Sequence, residues 1–275
     1  MSNGICLVAQ NNNTTDYIRQ AYALALSVLA NSPRTNISLI TNDEVLPEYQ
    51  KVFDKIIPIP WGDGANNKQW KIENRWKVYH ITPYENTVVM DVDMLVLDNI
   101  NKVWQHFTKL PPLLFTKNVK TYRNEPITSR YYRKTFDSND LPNVYTGLYQ
   151  FSKSESTHGF FVLLDIVMKH WREFYKQYAP NDFQAWCSVD VSAAIALKIL
   201  DMQGYCLDNS TLAFTHMKPH LQNLYNPPSK WTELLTVDFG NNDIIINGYK
   251  QSGVLHYVEN SFLSNDIVKW LEEKI

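Results

Sequence analysis

The chain has 275 residues, a net charge of −2 and 44% hydrophobic residues. This length fits one large domain or two small ones, and the apolar content is ample for a buried core, so disorder is not expected. The balanced charge gives no global argument for binding to nucleic acid or membranes. The opening MSNGICLVAQ lacks signal-peptide features, and no run is long and apolar enough to span a bilayer. We expect a cytoplasmic protein without a membrane span.

Short β-branched runs alternate with helical patterns over the first ninety residues. We predict strands at residues 5–9, 37–40, 55–58 and 87–90, and helices at residues 15–30 and 74–80. Thr14 or Thr15 is the expected cap of the first helix. This alternation predicts an α/β sheet, in which ligands bind beyond the carboxyl ends of parallel strands. Polar residues at those ends, 11–13 and 91–93, are therefore the first candidates for chemistry.

The pattern becomes less regular after Pro112, and residues 117–143 are expected to be rich in loops. We predict strands at residues 113–115, 147–151, 204–206, 244–246 and 254–257, and helices at residues 159–177, 189–200 and 265–274. No internal repeat is present. The three cysteines, Cys6, Cys187 and Cys206, lack paired metal-ligand spacing and sit among apolar neighbours, so we predict buried, reduced core residues.

The sharpest local signal is an acidic pair. In NTVVMDVDMLVLDNI an apolar strand runs directly into Asp91 and Asp93. Side chains two apart on an extended segment point the same way, so both carboxylates can face one ion. Two oxygen ligands suit Mg²⁺ or Mn²⁺, although aspartates after a strand can also simply cap the turn. A calcium loop of the EF-hand kind is a poor alternative, because its third ligand position would be Leu95 and its required glycine position would be Val96.

A chain of motifs resembles a known family. ICLVAQNNNTTDYIRQA, TPYENTVVMDVDMLVLDNI and GVLHYVEN, in this order, resemble GT-A glycosyltransferases, particularly the glycogenin-like and galactosyltransferase-like members of glycosyltransferase family eight. The resemblance implies an α/β fold of the GT-A type, with Rossmann-like nucleotide-sugar binding and a mostly parallel sheet flanked by helices. It implies one domain over residues 1–275, with a donor half at 1–110 and an acceptor half at 111–275.

The resemblance also implies donor-binding residues. By position, Ala9, Asn11 and Tyr17 would hold the nucleobase. A basic residue upstream of the acidic pair would contact the donor, and Arg75 or Lys77 fills that position, with Arg75 as the expected catalytic cation. Exposed basic residues on a helix are more often plain surface, so this alternative stays open.

The resemblance implies a metal site with three ligands, Asp91, Asp93 and His256. Asp91 would also contact the donor through the ion. The cofactor would be Mn²⁺ or Mg²⁺. A lone histidine at a strand end can equally be structural. The lysine, glycine and tryptophan that the family carries after this histidine are missing, so Lys218 in THMKPH is a candidate for the diphosphate contact.

The acceptor side departs from the family pattern. NVYTGLYQFSKS resembles the strand that supports the sugar and acceptor, which places Tyr145, Thr146 and Gly147 there, with Tyr145 where an asparagine would stand. An Asp-Gln pair of the family falls at Asp190 and Val191. Asp190 would hydrogen-bond a sugar hydroxyl or assist at the anomeric carbon, and its plain alternative is a charge at a helix terminus.

Together these features predict a metal-dependent glycosyltransferase that takes a nucleotide sugar, expected to be a UDP-sugar. The resemblance favours retention of anomeric configuration, although Asp190 could equally serve as the base of an inverting reaction. A nucleotidyltransferase would need a glycine-rich phosphate loop after its first strand, which QNNNTTD is not. An inactive module that binds a nucleotide sugar or glycan remains an alternative.

The acceptor stays open. The segment from Lys117 to Lys134 is basic and carries Tyr122, Tyr131 and Tyr132, a composition that suits phosphate contacts and base stacking. It would fit an enzyme that glycosylates modified bases in DNA, as in phage-like DNA modification. An ordinary solvated loop is its plain alternative, and a glycan, lipopolysaccharide precursor or protein acceptor fits equally well.

Overall fold

The structure is a computed structural model that describes residues 2–105, 107, 111–117, 119–207, 213–240 and 243–275. Its strands are β1 (Asn3–Val8), β2 (Ile37–Ile40), β3 (Lys55–Ile57), β4 (Asn86–Met90), β5 (Met94–Val96), β6 (Leu113–Thr116), β7 (Tyr145–Ser152), β8 (Cys206–Leu207), β9 (Phe214–His216), β10 (Val237–Gly240), β11 (Asp243–Ile246), β12 (Tyr249–Lys250) and β13 (Val254–His256). Its α-helices are α1 (Tyr17–Asn31), α2 (Pro47–Gln50), α3 (Val78–Ile81), α4 (Asn101–Trp104), α5 (Lys134–Ser138), α6 (Glu155–Lys169), α7 (Trp171–Tyr178), α8 (Val189–Ile199) and α9 (Asn265–Glu272).

A seven-stranded sheet forms the centre, in the order β3-β2-β1-β4-β7-β6-β8. The pairings of β1 with β2 and β4, of β2 with β3 and of β6 with β8 are parallel, whereas β7 runs antiparallel to β4 and β6. The mostly parallel α/β sheet expected from the sequence is therefore confirmed, with β7 as its antiparallel member. Every residue of β4 is buried, as its doubly apolar sequence predicts for a central strand.

The sheet is covered on both faces. One hydrophobic cluster packs the sheet against α6, α7 and α8, and a second packs it against α1. A third cluster lies beneath α1, α9 and the two small sheets β5-β13-β9 and β10-β11-β12. The sequence patterns did not predict β5, β9, β10 or β12, each of which has two to four residues.

Two helix predictions are corrected. The first helix begins at Tyr17 and is capped by Asp16, whose carboxylate accepts the backbone N–H of Arg19, because Asn12 accepts the N–H groups of both Thr14 and Thr15 in a preceding loop. The helix predicted at residues 159–177 is two helices, α6 and α7. They meet at His170, whose φ of −114° and ψ of 33° interrupt the helical geometry.

Candidate active site

The acidic pair lies where the chain leaves the central sheet for a small one. Strand β4 ends at Met90, and the N–H of Asp91 still donates to the carbonyl of Gly147 on β7 at 2.8 Å. After Asp93 the chain continues as β5, which pairs with β13. The two carboxylates are thus held at the edge of the sheet by strand pairing on both sides.

His256 is the third member of the cluster formed with Asp91 and Asp93. It lies opposite Met94 in the antiparallel ladder of β5 and β13, and the N–H of Tyr257 donates to the carbonyl of Asp93 at 3.1 Å. Its Nε2 atom is 3.0 Å from Oδ1 of Asp93. Asp91, Asp93 and His256 each offer one ligand atom, and these three atoms lie within 4.8 Å of one another. The three residues predicted as metal ligands therefore converge.

Arg75 and Gly147 shape the surroundings of Asp91. Arg75, in a 3-10 turn before α3, forms an ion pair with Oδ1 of Asp91. A Cβ atom at Gly147 would lie 3.0 Å from Oδ2 of Asp91 and 3.0 Å from the terminal carbon of Met94. Gly147 therefore leaves the space that this carboxylate occupies, and its expected place on the strand that supports the sugar and acceptor stays a prediction.

A buried hydrogen-bond network fixes the turn that carries Arg75. Asn74 donates to Gln10 at 2.7 Å and to Asp63 at 2.6 Å, and Gln10 donates to Asp63 at 2.9 Å. Gln10 and Asn74 are buried. The network ties the loop at residues 60–74 to the end of β1, so the approach of Arg75 to Asp91 is set by three polar residues that the motifs did not reveal.

The charges of this cluster are strongly interdependent. Burial is the main influence on the Asp91 carboxyl and raises its pKa, the Arg75 charge opposes it, and the nearby Asp93 carboxylate adds to it. Burial also opposes ionisation of Asp93, but the adjacent His256 outweighs it and lowers the pKa of Asp93. The pKa of His256 is raised because the Asp93 charge and hydrogen bond overcome its burial. Two carboxylates and an imidazole in mutual contact form a set that a divalent cation can bind.

A cleft of about 210 Å³ opens beside this cluster. Its walls include Asp91, Gly147 and His256, together with Asp190 and Lys218. The remaining lining residues are Tyr132, Arg133, Phe136, Tyr145, Gln184, Trp186, Ser188, Phe214, His216 and Leu221. The cleft therefore collects candidates from both halves of the chain.

Asp190 lies in the first turn of α8, which Ser188 caps. Its Oδ1 accepts the N–H of Thr146 at 2.9 Å and the hydroxyl of Thr146 at 2.6 Å, and its Oδ2 accepts from Arg133 at 3.0 Å. Burial opposes ionisation of Asp190, but the charge of Arg133 and the bonds from Thr146 outweigh it and lower the pKa of this carboxyl. Val191, by contrast, is fully buried in the core.

Lys218 follows β9 and reaches the cleft between the two acidic groups. Its pKa is lowered chiefly by burial, while the carboxylates of Asp190, Asp93 and Asp91 oppose that shift. The ammonium lies 4.2 Å from the ring centre of Tyr132 and forms no ion pair within the described parts of the chain. Lys218 therefore presents a cation to the cleft, as a contact to a diphosphate requires.

The residues expected at the nucleobase lie at the end of β1 and the start of α1. Ala9 is buried, with its N–H bonded to the carbonyl of Ile40 at 3.1 Å. The side chain of Asn11 accepts the N–H of Ile18 at 3.1 Å, which makes it a support for α1. Burial raises the pKa of Tyr17, and the Asp93 carboxylate adds to that shift, so Tyr17 lies within electrostatic reach of the acidic cluster.

Lys77 does not join Arg75 in the site. It is buried, and its ammonium donates to the carbonyls of Pro60 at 2.9 Å and Gly62 at 2.6 Å. The expectation that it contacts the donor is therefore corrected: Arg75 and Lys77 are two residues apart in a 3-10 turn and point in different directions, and Lys77 stabilises the loop before the turn.

The basic segment from Lys117 to Lys134 is not a uniform exposed surface. Tyr122 is buried, Arg133 is 6% exposed within the cleft, and Arg123 pairs with Glu125 at 2.9 Å. Tyr131 is 58% exposed. Several of the groups expected to contact DNA are thus engaged inside the protein.

Two cysteines can be compared with their prediction. Cys6 is fully buried, and burial raises the pKa of its thiol to about 12. Cys187 is only partly buried, which corrects the expectation for that residue, although burial still raises its pKa to about 11. Both are free thiols. The side chain of Cys206 lies outside the described residues.

Arg133 is a charged cleft residue that the sequence patterns do not single out. It lies within the basic segment from Lys117 to Lys134, and no short motif marks it. The one available signal was its neighbourhood in YYRK, where arginine among aromatics can form stacked contacts.

Comparison with solved structures places the fold. The galactosyltransferase LgtC, solved in complex with donor and acceptor sugar analogues, is similar over 98% of this chain and 94% of its own, with 15% sequence identity and a TM-score of 0.57. GlyE, a glycosyltransferase of Streptococcus pneumoniae, is similar over 100% of this chain and 61% of its own, with 10% identity and a TM-score of 0.52. WbbM, a bifunctional glycosyltransferase, is similar over 99% and 49%, with 12% identity and a TM-score of 0.52.

At these identities the likeness shows the fold, which is the GT-A fold expected from the motifs. No protein-family model matches the sequence, and no curated protein matches it. Within the described residues, the helices are all too short or too polar to cross a membrane.

Proposed function

We propose that this protein is a metal-dependent glycosyltransferase that transfers a sugar from a nucleotide-sugar donor, a UDP-sugar, to a carbohydrate acceptor. The observation that carries the proposal is the convergence of Asp91, Asp93 and His256 within 4.8 Å on a cleft of a GT-A fold. The acidic pair lies beyond the end of β4, beside the end of β1, where open α/β sheets bind their ligands.

The donor set fits Mn²⁺ or Mg²⁺. Carboxylate oxygens are preferred ligands of both ions, and a single imidazole suits Mn²⁺ better than Mg²⁺. His256 faces Asp93 through Nε2, and its buried Nδ1 has no hydrogen-bond partner among the described residues. When bound, the ion would neutralise negative charge on the diphosphate of the donor.

Two cations of the chain support the same chemistry. Arg75 lies against Asp91, and Lys218 enters the cleft near Asp190. Both would stabilise the nucleoside diphosphate as it departs, because fixed charges in a partly desolvated cleft act more strongly than in water. Asp190 would accept a hydrogen bond from a hydroxyl group of the sugar and so hold the anomeric carbon in place. We infer retention of configuration from the family resemblance, which the anomeric signals of the product in a proton NMR spectrum would test.

A nucleic-acid acceptor is the second candidate. The exposed Tyr131 stacks on His220, with ring centres 4.3 Å apart, and offers a face on which a base could stack. Against this, the buried Tyr122 and Arg133 cannot contact a strand. Glycosylation that requires DNA and weakens steeply with salt would support this acceptor; activity on glycans that is insensitive to salt would exclude it.

The test of the proposed function is hydrolysis and transfer with a panel of nucleotide sugars, with and without Mn²⁺. The variants are Asp91→Asn and Asp93→Asn, and the matched control is Asp201→Asn, an exposed aspartate outside the cleft. We expect one donor to turn over in the wild type and the control, and neither variant to support turnover. Calorimetry with Mn²⁺ and UDP gives an independent readout. Binding without turnover would indicate the inactive module; neither binding nor turnover would overturn the proposal.

A further inference from the structure

Arg133 makes a set of contacts that no motif or family pattern assigns to it. One guanidinium nitrogen donates to the carbonyl of Val144 at 3.0 Å and another to Oδ2 of Asp190 at 3.0 Å. The guanidinium carbon lies 3.5 Å from the ring centre of Tyr145 and 4.9 Å from that of Phe136. The side chain is 8% exposed. A buried arginine held by a carbonyl, a carboxylate and aromatic rings has little freedom to move.

The acceptor positions of Asp190 are nearly all occupied. A carboxylate oxygen can accept about two hydrogen bonds. Oδ1 accepts both the N–H and the hydroxyl of Thr146, whereas Oδ2 accepts only from Arg133. The side chain of Asp190 is 27% exposed and lines the cleft. One acceptor position, on Oδ2, is therefore left for a group in the cleft.

We propose that Arg133 is a positioning residue that holds the Asp190 carboxylate so that the remaining acceptor position of Oδ2 meets one hydroxyl of the sugar in the cleft. The inference rests on the proposed function. With Arg133 in place, rotation of the carboxylate breaks either its bond to Arg133 or its bonds to Thr146, so one orientation is favoured. Without Arg133, only the Thr146 side of the carboxylate is held.

Tyr145 is the second part of this arrangement. It stands where the family pattern has an asparagine, and its ring supports the flat face of the Arg133 guanidinium. Stacking leaves the edge of the guanidinium free for hydrogen bonds, which is the geometry observed. The departure at Tyr145 thus has a structural consequence: it provides the platform from which Arg133 reaches Asp190.

The charged and titratable groups that face Asp190 come from several elements. Arg133 precedes α5, Lys218 follows β9, Tyr145 lies on β7 and Tyr175 lies on α7. Burial opposes ionisation of the Asp190 carboxyl, and Arg133 is the largest influence that lowers its pKa. Removal of Arg133 should therefore raise that pKa even though Lys218 remains.

The first experiment needs no substrate. The carboxyl carbon of Asp190 is titrated by ¹³C NMR in the wild type, in Arg133→Gln and in Arg133→Lys. We expect the pKa of Asp190 to rise by about 1–3 units in Arg133→Gln, and to stay nearer the wild-type value in Arg133→Lys, which keeps the charge. The control is Arg172→Gln, an exposed arginine that also lies on an aromatic ring, that of Trp171, and should leave the titration unchanged.

The second experiment measures pH profiles of kcat and KM with the donor that the wild type uses. Arg133→Gln should lower kcat/KM about 100-fold, which is the scale expected when a positioning group is displaced. The acidic limb of the pH profile should shift to higher pH, by the same amount as the pKa of Asp190 measured by NMR. Arg133→Lys should restore the acid limb but only part of the rate, since an ammonium cannot reproduce the planar fork. Tyr145→Leu, which removes the ring, should lie between these variants.

The outcomes separate this inference from the proposed function. If the wild type turns over no nucleotide sugar, the proposed function fails, and the NMR titration alone decides whether Arg133 controls Asp190. If Arg133→Gln stays folded by circular dichroism and leaves both the titration and the acid limb unchanged, the positioning role is overturned. Should Arg133→Gln fail to fold, Arg133→Lys and Tyr145→Leu carry the test through the same two measurements.

Discussion

Two groups of residues in the cleft use aspartate in opposite ways. At the candidate metal site, Asp91 lies beside a second carboxylate, and burial raises its pKa. Elsewhere in the cleft, Asp190 faces Arg133 and Thr146, which lower its pKa. Asp91 and Asp93 bring two negative charges together, which Arg75 and His256 partly offset and a divalent cation would relieve further. The Asp190 carboxylate is already neutralised and hydrogen-bonded by the protein.

The difference separates binding from positioning. Two carboxylates close together repel each other, and a divalent cation bound between them would relieve that repulsion, so metal binding and local stability would be linked. A carboxylate that already accepts three hydrogen bonds has no such need, and we expect Asp190 to act as a fixed acceptor. Substitutions in the two groups should therefore affect different measurements, and four predictions test this.

The largest expected effect is on metal binding. His256→Ala removes one of three ligands and should weaken Mn²⁺ binding about 1000-fold, beyond the 10–100-fold typical of supporting residues. Asp190→Asn should leave Mn²⁺ affinity unchanged while lowering kcat. Calorimetry with Mn²⁺ on both variants decides the comparison, and a metal affinity that falls equally in both would show that the two groups do not act separately.

The second effect is on stability. Arg133→Gln leaves the largely buried Asp190 without its partner and should lower the free energy of unfolding by about 3 kcal/mol at pH 7. Because the pKa of Asp190 is lowered in the folded state, this contribution is present above the unfolded-state value near 3.9 and is lost as the pH falls through the folded-state value. Urea unfolding at pH 7 and at about pH 3 measures it, and equal losses at both would contradict the pairing.

The third effect distinguishes neighbouring residues of one turn. Lys77→Met leaves the carbonyls of Pro60 and Gly62 without their donor and should cost about 2 kcal/mol of stability, with little change in kcat. Arg75→Met should lower kcat more than it lowers stability. Thermal unfolding and turnover on both variants separate them; a larger loss of kcat in Lys77→Met would restore Lys77 to the donor site.

The smallest effect concerns Gly147. In Gly147→Ala the new Cβ would press on Oδ2 of Asp91, and we expect Mn²⁺ affinity to fall about 10-fold. Gly159→Ala is the matched control, because no atom lies within 4 Å of a Cβ at that helical position and alanine should stabilise the helix slightly. A metal affinity in Gly147→Ala equal to that of the control would show that the Asp91 carboxylate can move away from the new methyl group without weakening Mn²⁺ binding.

The sequence predicted those parts of the site that lie on long apolar patterns. The central strand and the acidic pair after it are contiguous, so one segment indicated both the sheet and two of the three candidate metal ligands. The helix at Val189–Ile199 was predicted to within one residue. The family motif added His256, which pairs with β5 only because distant strands meet.

The sequence by itself determined the α/β class, the strand end that carries Asp91 and Asp93, and the order of the donor motifs, because these depend on short-range periodicity. Only the tertiary structure decided which charges remain available. The ammonium of Lys77 is hydrogen-bonded to two backbone carbonyls, whereas Arg75 forms an ion pair with Asp91 and Arg133 forms one with Asp190. Side chains of the same type differ in role because burial and long-range partners, which no local pattern encodes, set their contacts and their charge.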